Sequence, residues 1–367
     1  MKRVGILTYH YAENINFGAI LQSYAILKLL KQKGYFTKLI DYKFRKYSII
    51  RKLKARFVGA SFFDFKKNFL ECTEYIPDEK LRDLNEKFDI FIVGSDQVWR
   101  MKWLHEKVKH YFFDFVEDDK LKISYAASFG VDFWEGKEPL TSEVKTLMKR
   151  FDSISVREES GIDICRETFD VDGAVNVLDP TLMLEKEEYE KIIEKSNIDK
   201  NVKDNYVATM LLDETEFLTE EIKNVAHSLE MSINEIKGKT ISIFGKKITF
   251  YNKVGEWLNY IKNANLVITD SFHCVAFSII FNKEFVVLAN PERGIARLEN
   301  ILKKVGLEDR LFIDIKTLKD SETLKEKIDY SSVENKLKWY RERSMDFLTN
   351  ALLKEKENDI WIKAIER

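Results

Sequence analysis

Residues 4–42 read VGILTYHYAENINFGAILQSYAILKLLKQKGYFTKLIDY. Val4 to Thr8 is a short apolar run bounded by polar residues, the pattern of a buried strand. From Phe17 to Lys33 the residues Ile20, Leu21, Tyr24, Leu27 and Leu30 recur at helical spacing. Gly34 follows in the position where helices commonly stop. Lys38 to Tyr42 is a second strand. Strand, helix, strand in this order predicts a parallel sheet with helices on its faces.

The same alternation extends outward. Phe88–Val93, Ile123–Ala127 and Ser153–Val156 read as strands, each ending in glycine or polar residues. Near Val177-Leu178-Asp179-Pro180-Thr181 the character changes, and a charged stretch, Glu185 to Asp204, leads to a new strand, Tyr206–Leu212. Helices Glu216–Leu229, Lys253–Lys262, Phe272–Phe281 and Leu298–Val305 then alternate with strands Thr240–Phe244, Leu266–Thr269 and Phe285–Ala289. Glu334–Leu353 is a long amphipathic helix carrying Trp339, Met345, Phe347 and Leu348. The expected fold class is α/β. Two Rossmann-like domains, residues 1–185 and 186–333, place parallel sheets across a central cleft. A helical segment, 334–367, packs back on the first domain.

Composition bounds the function. A chain of 367 residues exceeds what one hydrophobic core usually organises. With 45% hydrophobic and 33% charged residues and only 4 prolines, it reads as globular, without long disordered linkers. The net charge of -1 points to neither a nucleic-acid nor a membrane partner, and only local charge speaks for one. Cys72, Cys165 and Cys274 form no CxxC pair, so a reduced, cytoplasmic protein is expected. The apolar run after Lys2 and Arg3 is too short for a signal peptide, and no window has the length of a membrane-spanning helix. His10, His105, His110, His227 and His273 lack metal-binding spacing, so no metal or other cofactor is expected.

Five stretches can carry chemistry. In Ile268-Thr269-Asp270-Ser271-Phe272-His273 a strand gives way to a helix. Ser271 or Asp270 can cap that helix, and its free N–H groups suit an anion, with His273 in the first turn. The same pattern also describes a capped helix with a core histidine. In Ser155-Val156-Arg157-Glu158-Glu159 the arginine can grip a carboxylate or phosphate, or simply pair with the adjacent glutamates. Gly94-Ser95-Asp96-Gln97-Val98-Trp99 combines acceptors and an aromatic ring suited to a sugar, and equally reads as a capped turn with a buried tryptophan. Around Asn16-Phe17-Gly18, Gly18 permits close backbone approach, and Asn16 or Gln22 can meet a ligand. Finally, Lys43 to Lys67 is rich in Lys and Arg interleaved with Phe57, Phe62, Phe63 and Phe65. That segment is either a solvated helix face or a contact for anionic lipid headgroups.

Taken in order, these fragments resemble the polysaccharide pyruvyltransferase family. They are Asn16 to Gln22, Val93 to Trp99, Tyr125 to Gly130, Ser155 to Glu158, Leu178 to Thr181, and Ile268 to His273 followed by Phe277 to Phe281. The resemblance implies a GT-B-like pair of domains, phosphoenolpyruvate as donor and a hexose or acetamido-hexose as acceptor. It assigns the donor site to Arg157 and His273. Some family members carry a basic residue two positions before that histidine. Here the position is Ser271, and Arg293 and Arg297 are candidates for the missing charge. On this reading His273 acts as acid, Asp96 or Asp270 as base, and Asn16, Gln22, Gln97 and Trp99 orient the sugar. The acceptor is expected on a lipid carrier, with the enzyme peripheral on the inner face of the cytoplasmic membrane. Two other readings share the fold: a glycosyltransferase using a nucleotide-sugar, and a non-catalytic glycan-assembly protein.

Overall fold

A computed structural model describes residues 2–44, 48–200, 202, 204–243, 245–290, 294–319 and 321–355. The first half contains β1 (Arg3–Leu7), α1 (Phe17–Gln32), β2 (Phe36–Tyr42), α2 (Ile49–Val58), α3 (Ala60–Phe69), β3 (Cys72–Ile76), β4 (Ile90–Val93), α4 (Met101–Leu104), β5 (Leu121–Ala127), α5 (Leu140–Met148), β6 (Ser153–Val156), α6 (Ser160–Phe169) and β7 (Val175–Asn176). The second contains α7 (Lys186–Lys195), β8 (Tyr206–Met210), α8 (Glu216–Ser228), β9 (Ser232–Glu235), β10 (Gly238–Ile243), β11 (Lys246–Tyr251), α9 (Val254–Asn263), β12 (Leu266–Thr269), α10 (Phe272–Ile280), β13 (Phe285–Leu288), α11 (Ala296–Val305), β14 (Leu311–Phe312), α12 (Ile315–Lys319) and α13 (Tyr330–Leu353).

Seven strands form a parallel sheet in the order β3-β2-β1-β4-β5-β6-β7. Five more form a second parallel sheet in the order β14-β13-β12-β8-β9. Strand order reverses between β1 and β4 in the first sheet and between β8 and β12 in the second. In open α/β sheets the crevice beyond the strand ends at such a reversal is where ligands bind. Here the two reversals open onto the same cleft.

Residues of the strand expected at Thr240–Phe244 fall in β10, which joins neither sheet. It pairs antiparallel with β11 as a separate hairpin. Phe244 lies outside the described residues. The charged stretch after Glu185 holds α7, whose Tyr189, Ile192 and Ile193 are buried while Lys186, Glu187, Lys191, Glu194 and Lys195 are exposed.

Helix α1 explains how the halves join. Every residue from Phe17 to Leu27 is buried. A helix that is apolar all round is covered on all sides, and α1 lies between the first sheet and α10. Phe17 stacks on Trp257 of α9 at 5.0 Å and 9°, and Trp257 meets Phe277 of α10 edge-on at 5.4 Å. Helix α13 leaves the second half and returns to the first, as expected. Ser344 Oγ accepts from the Leu178 N–H at 3.0 Å, Arg341 Nε donates to the Leu182 carbonyl at 2.7 Å, and Lys33 Nζ donates to Thr349 Oγ1 at 2.7 Å.

His10, just past β1, is fully buried with Nδ1 2.9 Å from the Thr8 carbonyl and Nε2 3.7 Å from Asp41. Burial, reinforced by nearby Lys66, pushes its pKa down to about 4. The folded state therefore prefers the neutral ring. Stability is fully present above the unfolded value of about 6.5 and is lost as pH falls from there toward about 4, by at most about 3 kcal/mol. Thermal melts across that window are expected to show the loss, and His10→Gln to flatten it. An equally steep profile in His10→Gln would assign the acid sensitivity elsewhere.

Candidate active site

The cleft has a volume of about 490 Å3 and is lined from both halves. Its first wall is built at the end of β4. Gly94 has φ of 108°, and a Cβ there would sit 2.3 Å from the Tyr125 carbonyl oxygen, so only glycine fits. Asp96 follows with φ of 74°, a left-handed conformation that aspartate tolerates better than most residues. Hydrogen bonds hold it there. Its carbonyl accepts from the Val98 and Ser128 N–H groups at 2.7 and 3.0 Å, and Oδ1 accepts from the Gln97 N–H at 2.8 Å.

The opposite wall is built at the end of β12. Neither expected cap forms on α10. Asp270 turns instead to a neighbouring strand end, where Oδ1 accepts from the Leu212 N–H at 2.8 Å and Oδ2 from Asn290 Nδ2 at 3.2 Å. The Ser271 N–H donates to Thr269 Oγ1 at 3.0 Å. The first turn of α10 thus has no side-chain cap, and its residues Phe272 and His273 line the cleft. Unsatisfied N–H groups and the positive end of the helix dipole make that turn favourable for an anion.

His273 lies 8% exposed in this turn, and its ring rests against α1 at Gly18. A Cβ on residue 18 would come within 2.0 Å of the His273 Nδ1. The close approach anticipated at Gly18 is therefore made by the imidazole.

Beneath His273 lies a buried charge cluster centred on Asp179. Oδ2 accepts from Arg157 Nη1 and from Ser95 Oγ, both at 2.9 Å, and lies 3.7 Å from His273 Nε2. Oδ1 accepts from the Thr181 N–H at 3.0 Å and from Thr181 Oγ1 at 2.7 Å. Burial alone would raise the Asp179 carboxyl. The fields of His273 and Arg157 and the Thr181 N–H more than reverse this, and it stays ionised. Burial lowers His273 below its ordinary value. Asp179 and Asp96 pull the other way, while Arg157 and Arg297 add to the lowering. Burial also raises the Asp270 carboxyl, and Asp213 adds to that, against the hydrogen bonds from Leu212 and Asn290.

The structure brings Asn16, Asp96, Gln97, Asp270, Ser271, His273 and Arg297 to the cleft. Asn16 Oδ1 also caps α1 through the Ala19 N–H at 3.1 Å. Arg297 is held at about 10, chiefly by burial and then by the field of Arg157, and remains charged at neutral pH. Arg293 lies outside the described residues.

Three expectations are corrected. Gln22 is fully buried and its Nε2 lies within hydrogen-bond reach of Thr8 Oγ1, the Tyr9 and Ala19 carbonyls and Ser23 Oγ, so it braces the core. Trp99 is fully buried, donating to the Tyr111 carbonyl at 3.0 Å and stacking on Phe112 at 4.9 Å. Two other tryptophans line the cleft: Trp257, fully buried, and Trp103, 36% exposed, with Nε1 donating to Gln97 Oε1 at 3.3 Å. Arg157 is not part of the cleft lining. It lies 2% exposed beneath it, over the Phe272 ring at 4.6 Å and 3.7 Å from Asp96 Oδ1. Its adjacent glutamates are engaged elsewhere, Glu158 with Ser128 Oγ at 2.8 Å and the Phe129 N–H at 2.9 Å, Glu159 with Lys303 at 3.1 Å. Asp179 is the site residue to which the sequence assigns no role: its Asp-Pro-Thr turn marks a change of character in the chain and is one of the fragments that carry the family resemblance, and nothing local points to its partners.

The sequence pattern of the family described as polysaccharide pyruvyl transferase matches residues 16–292. The chain belongs to this family. It is thereby a transferase of polysaccharide biosynthesis. The matched span runs from the cap of α1 to just beyond Asn290, and so contains both cleft walls. No curated protein sequence matches the chain. Among solved structures it is similar in fold to the UDP-GlcNAc 2-epimerase from Neisseria meningitidis bound to UDP-GlcNAc. Identity there is 11%, covering 97% of this chain and 100% of that one, with a TM-score of 0.53. The UDP-GlcNAc 2-epimerase of Methanocaldococcus jannaschii, in complex with UDP-GlcNAc and UDP, matches at 17% identity, 95% and 100% coverage and a TM-score of 0.51. At these identities the likeness is one of fold, the GT-B-like α/β class.

Proposed function

We propose that this polysaccharide pyruvyl transferase moves the pyruvyl group of phosphoenolpyruvate onto two hydroxyls of one hexose or acetamido-hexose of a bacterial surface glycan, forming a ketal. The observation that carries the reading is His273 at the uncapped start of α10, backed by the Asp179–Arg157 pair. That arrangement suits a small, multiply charged anion.

The reaction needs a proton on the donor's methylene carbon, attack of a sugar hydroxyl on the adjacent carbon, departure of phosphate, and ring closure by a second hydroxyl. Protons balance: one hydroxyl proton is replaced on the methyl group and the other leaves with phosphate. The α10 N-terminus and Arg297 bind the donor's phosphate and carboxylate. Arg157 supplies positive potential from below rather than contact. Burial, the largest influence on it, holds the His273 pKa below its ordinary value. A bound trianion raises its pKa, so it takes up a proton with the donor and becomes the acid. Asp270, whose carboxyl burial raises above its ordinary value, receives the hydroxyl proton, with Asp96 the other candidate. Trp103 stacks on the sugar face, with Gln97 and Asn16 as hydrogen-bond partners.

Calorimetric titration of phosphoenolpyruvate, with UDP and GDP as controls, tests the donor. Saturable binding is expected for phosphoenolpyruvate, lost in His273→Ala and Arg157→Ala. Binding of UDP or GDP in place of phosphoenolpyruvate would overturn the assignment in favour of a nucleotide-sugar. Repeating the titration near neutral pH in buffers of different ionisation heat is expected to show proton uptake in the native enzyme and none in His273→Gln. Equal uptake in both would remove His273 as the acid.

A further inference from the structure

The basic segment singled out in the sequence divides in the structure. Helix α3 turns inward, with Phe62 and Phe65 buried and Lys66 paired to Asp41 at 2.9 Å. Lys43 is paired to Glu13 at 2.7 Å, and Arg45 and Lys46 lie outside the described residues. Helix α2 does the opposite. Only Ala55 and Val58 are buried, while Ile49, Ile50, Leu53 and Phe57 are 76%, 80%, 63% and 72% exposed. At helical spacing of about 100° per residue those four share one sector of roughly 100°, facing away from the buried pair. Lys52 and Arg56 flank the stripe on one side and Lys54 on the other, and the helix carries no acidic residue. The hairpin of β10 and β11 stands beside it, tied by Phe57 against Phe250 at 5.3 Å. The hairpin adds exposed Lys239, Lys246 and Lys247, and its strands also contain no acid. Arg51 of α2, and Lys237 and Tyr251 at the ends of the hairpin, line the rim of the cleft.

We propose that α2 and the β10–β11 hairpin form a docking surface for an anionic lipid bilayer, with α2 lying in the interface and the cleft mouth at the membrane. The apolar stripe enters the headgroup boundary while the flanking cations meet lipid phosphates. Charge complementarity selects this occupant. A second copy of the chain would bring like charges together, and a nucleic acid would leave the four apolar side chains without a partner. Docking rests on α2 and the hairpin alone. Its consequence, that the acceptor glycan is presented on a lipid, rests on the proposed function.

Flotation of the full chain with vesicles of phosphatidylglycerol in phosphatidylcholine, against phosphatidylcholine alone, tests docking without turnover. Binding is expected to the anionic vesicles and to weaken with added salt. Ile49→Ser/Ile50→Ser/Leu53→Ser and, separately, Lys52→Glu/Lys54→Glu are each expected to weaken it about tenfold or more. All substituted side chains are exposed, so unchanged melting temperatures serve as the folding control, and unchanged phosphoenolpyruvate binding separates docking from the donor reading. Unaltered flotation in both variants, absence of flotation by the native chain, or a native dimer that the apolar variant dissociates would each overturn the proposal.

Discussion

Gly18→Ala is expected to lose nearly as much turnover as His273→Ala, about 10²- to 10⁴-fold, the range typical of a displaced general acid, although residue 18 carries no chemistry. The added Cβ would fall 2.0 Å from the His273 Nδ1 and 2.3 Å from its Cγ. Neither neighbour can yield cheaply. Gly18 sits in the buried first turn of α1, anchored by the Asn16 cap, and His273 is fixed in the first turn of α10. The imidazole must therefore move off the start of α10. Overpacking of this kind also costs stability, about 1–3 kcal/mol. The decisive experiment is the double variant. With His273→Ala in place the space is free, so adding Gly18→Ala should cost almost no further stability and no further turnover. Full additivity of the two changes in melting temperature would show that they do not share this contact.

The sequence made most of the frame legible because α/β folding is written in local period. Runs such as Ile6-Leu7 and Val267-Ile268 are apolar on both faces, as strands covered by helices on both sides must be, and each strand that lines the cleft was visible this way. β10 was also visible, but its partner was not, because a lone alternating run does not say which strand it joins. The site was legible where backbone geometry dictated residue type, as at Gly18. It was not legible where side chains choose among partners. Asp270 looked like a helix cap and serves Leu212 and Asn290. Trp99 looked like a sugar platform, yet its indole N–H satisfies Tyr111 within the core, and the exposed tryptophan that lines the cleft is Trp103. Arg157 looked like a ligand-gripping residue and lies under the floor, because its partner Asp179 is 22 residues away in sequence and no local spacing announces the pair.

Asp179→Asn is expected to damage both stability and catalysis, by separable routes. The carboxylate is fully buried and accepts four hydrogen bonds, from Arg157, Ser95 and twice from Thr181. An asparagine of the same shape leaves the buried Arg157 guanidinium with only the more distant Asp96, at 3.7 Å, as an ion-pair partner, a change that costs up to about 3–5 kcal/mol. Adding Arg157→Met removes the stranded charge, so the double variant should regain much of the lost stability while remaining inactive. The catalytic route is read from pH. Asp179 opposes the lowering of the His273 pKa by burial and by Arg157. With that support gone, the His273 pKa falls further, and the protonated form that the proposed methylene protonation requires persists only at lower pH. The basic limb of the kcat/KM profile should therefore move to lower pH in Asp179→Asn, a displacement that loss of packing alone does not produce. An unmoved limb in a folded Asp179→Asn enzyme would reduce Asp179 to a structural brace. The predicted movement would make it the residue that positions His273 and sets its charge across the boundary between the two halves.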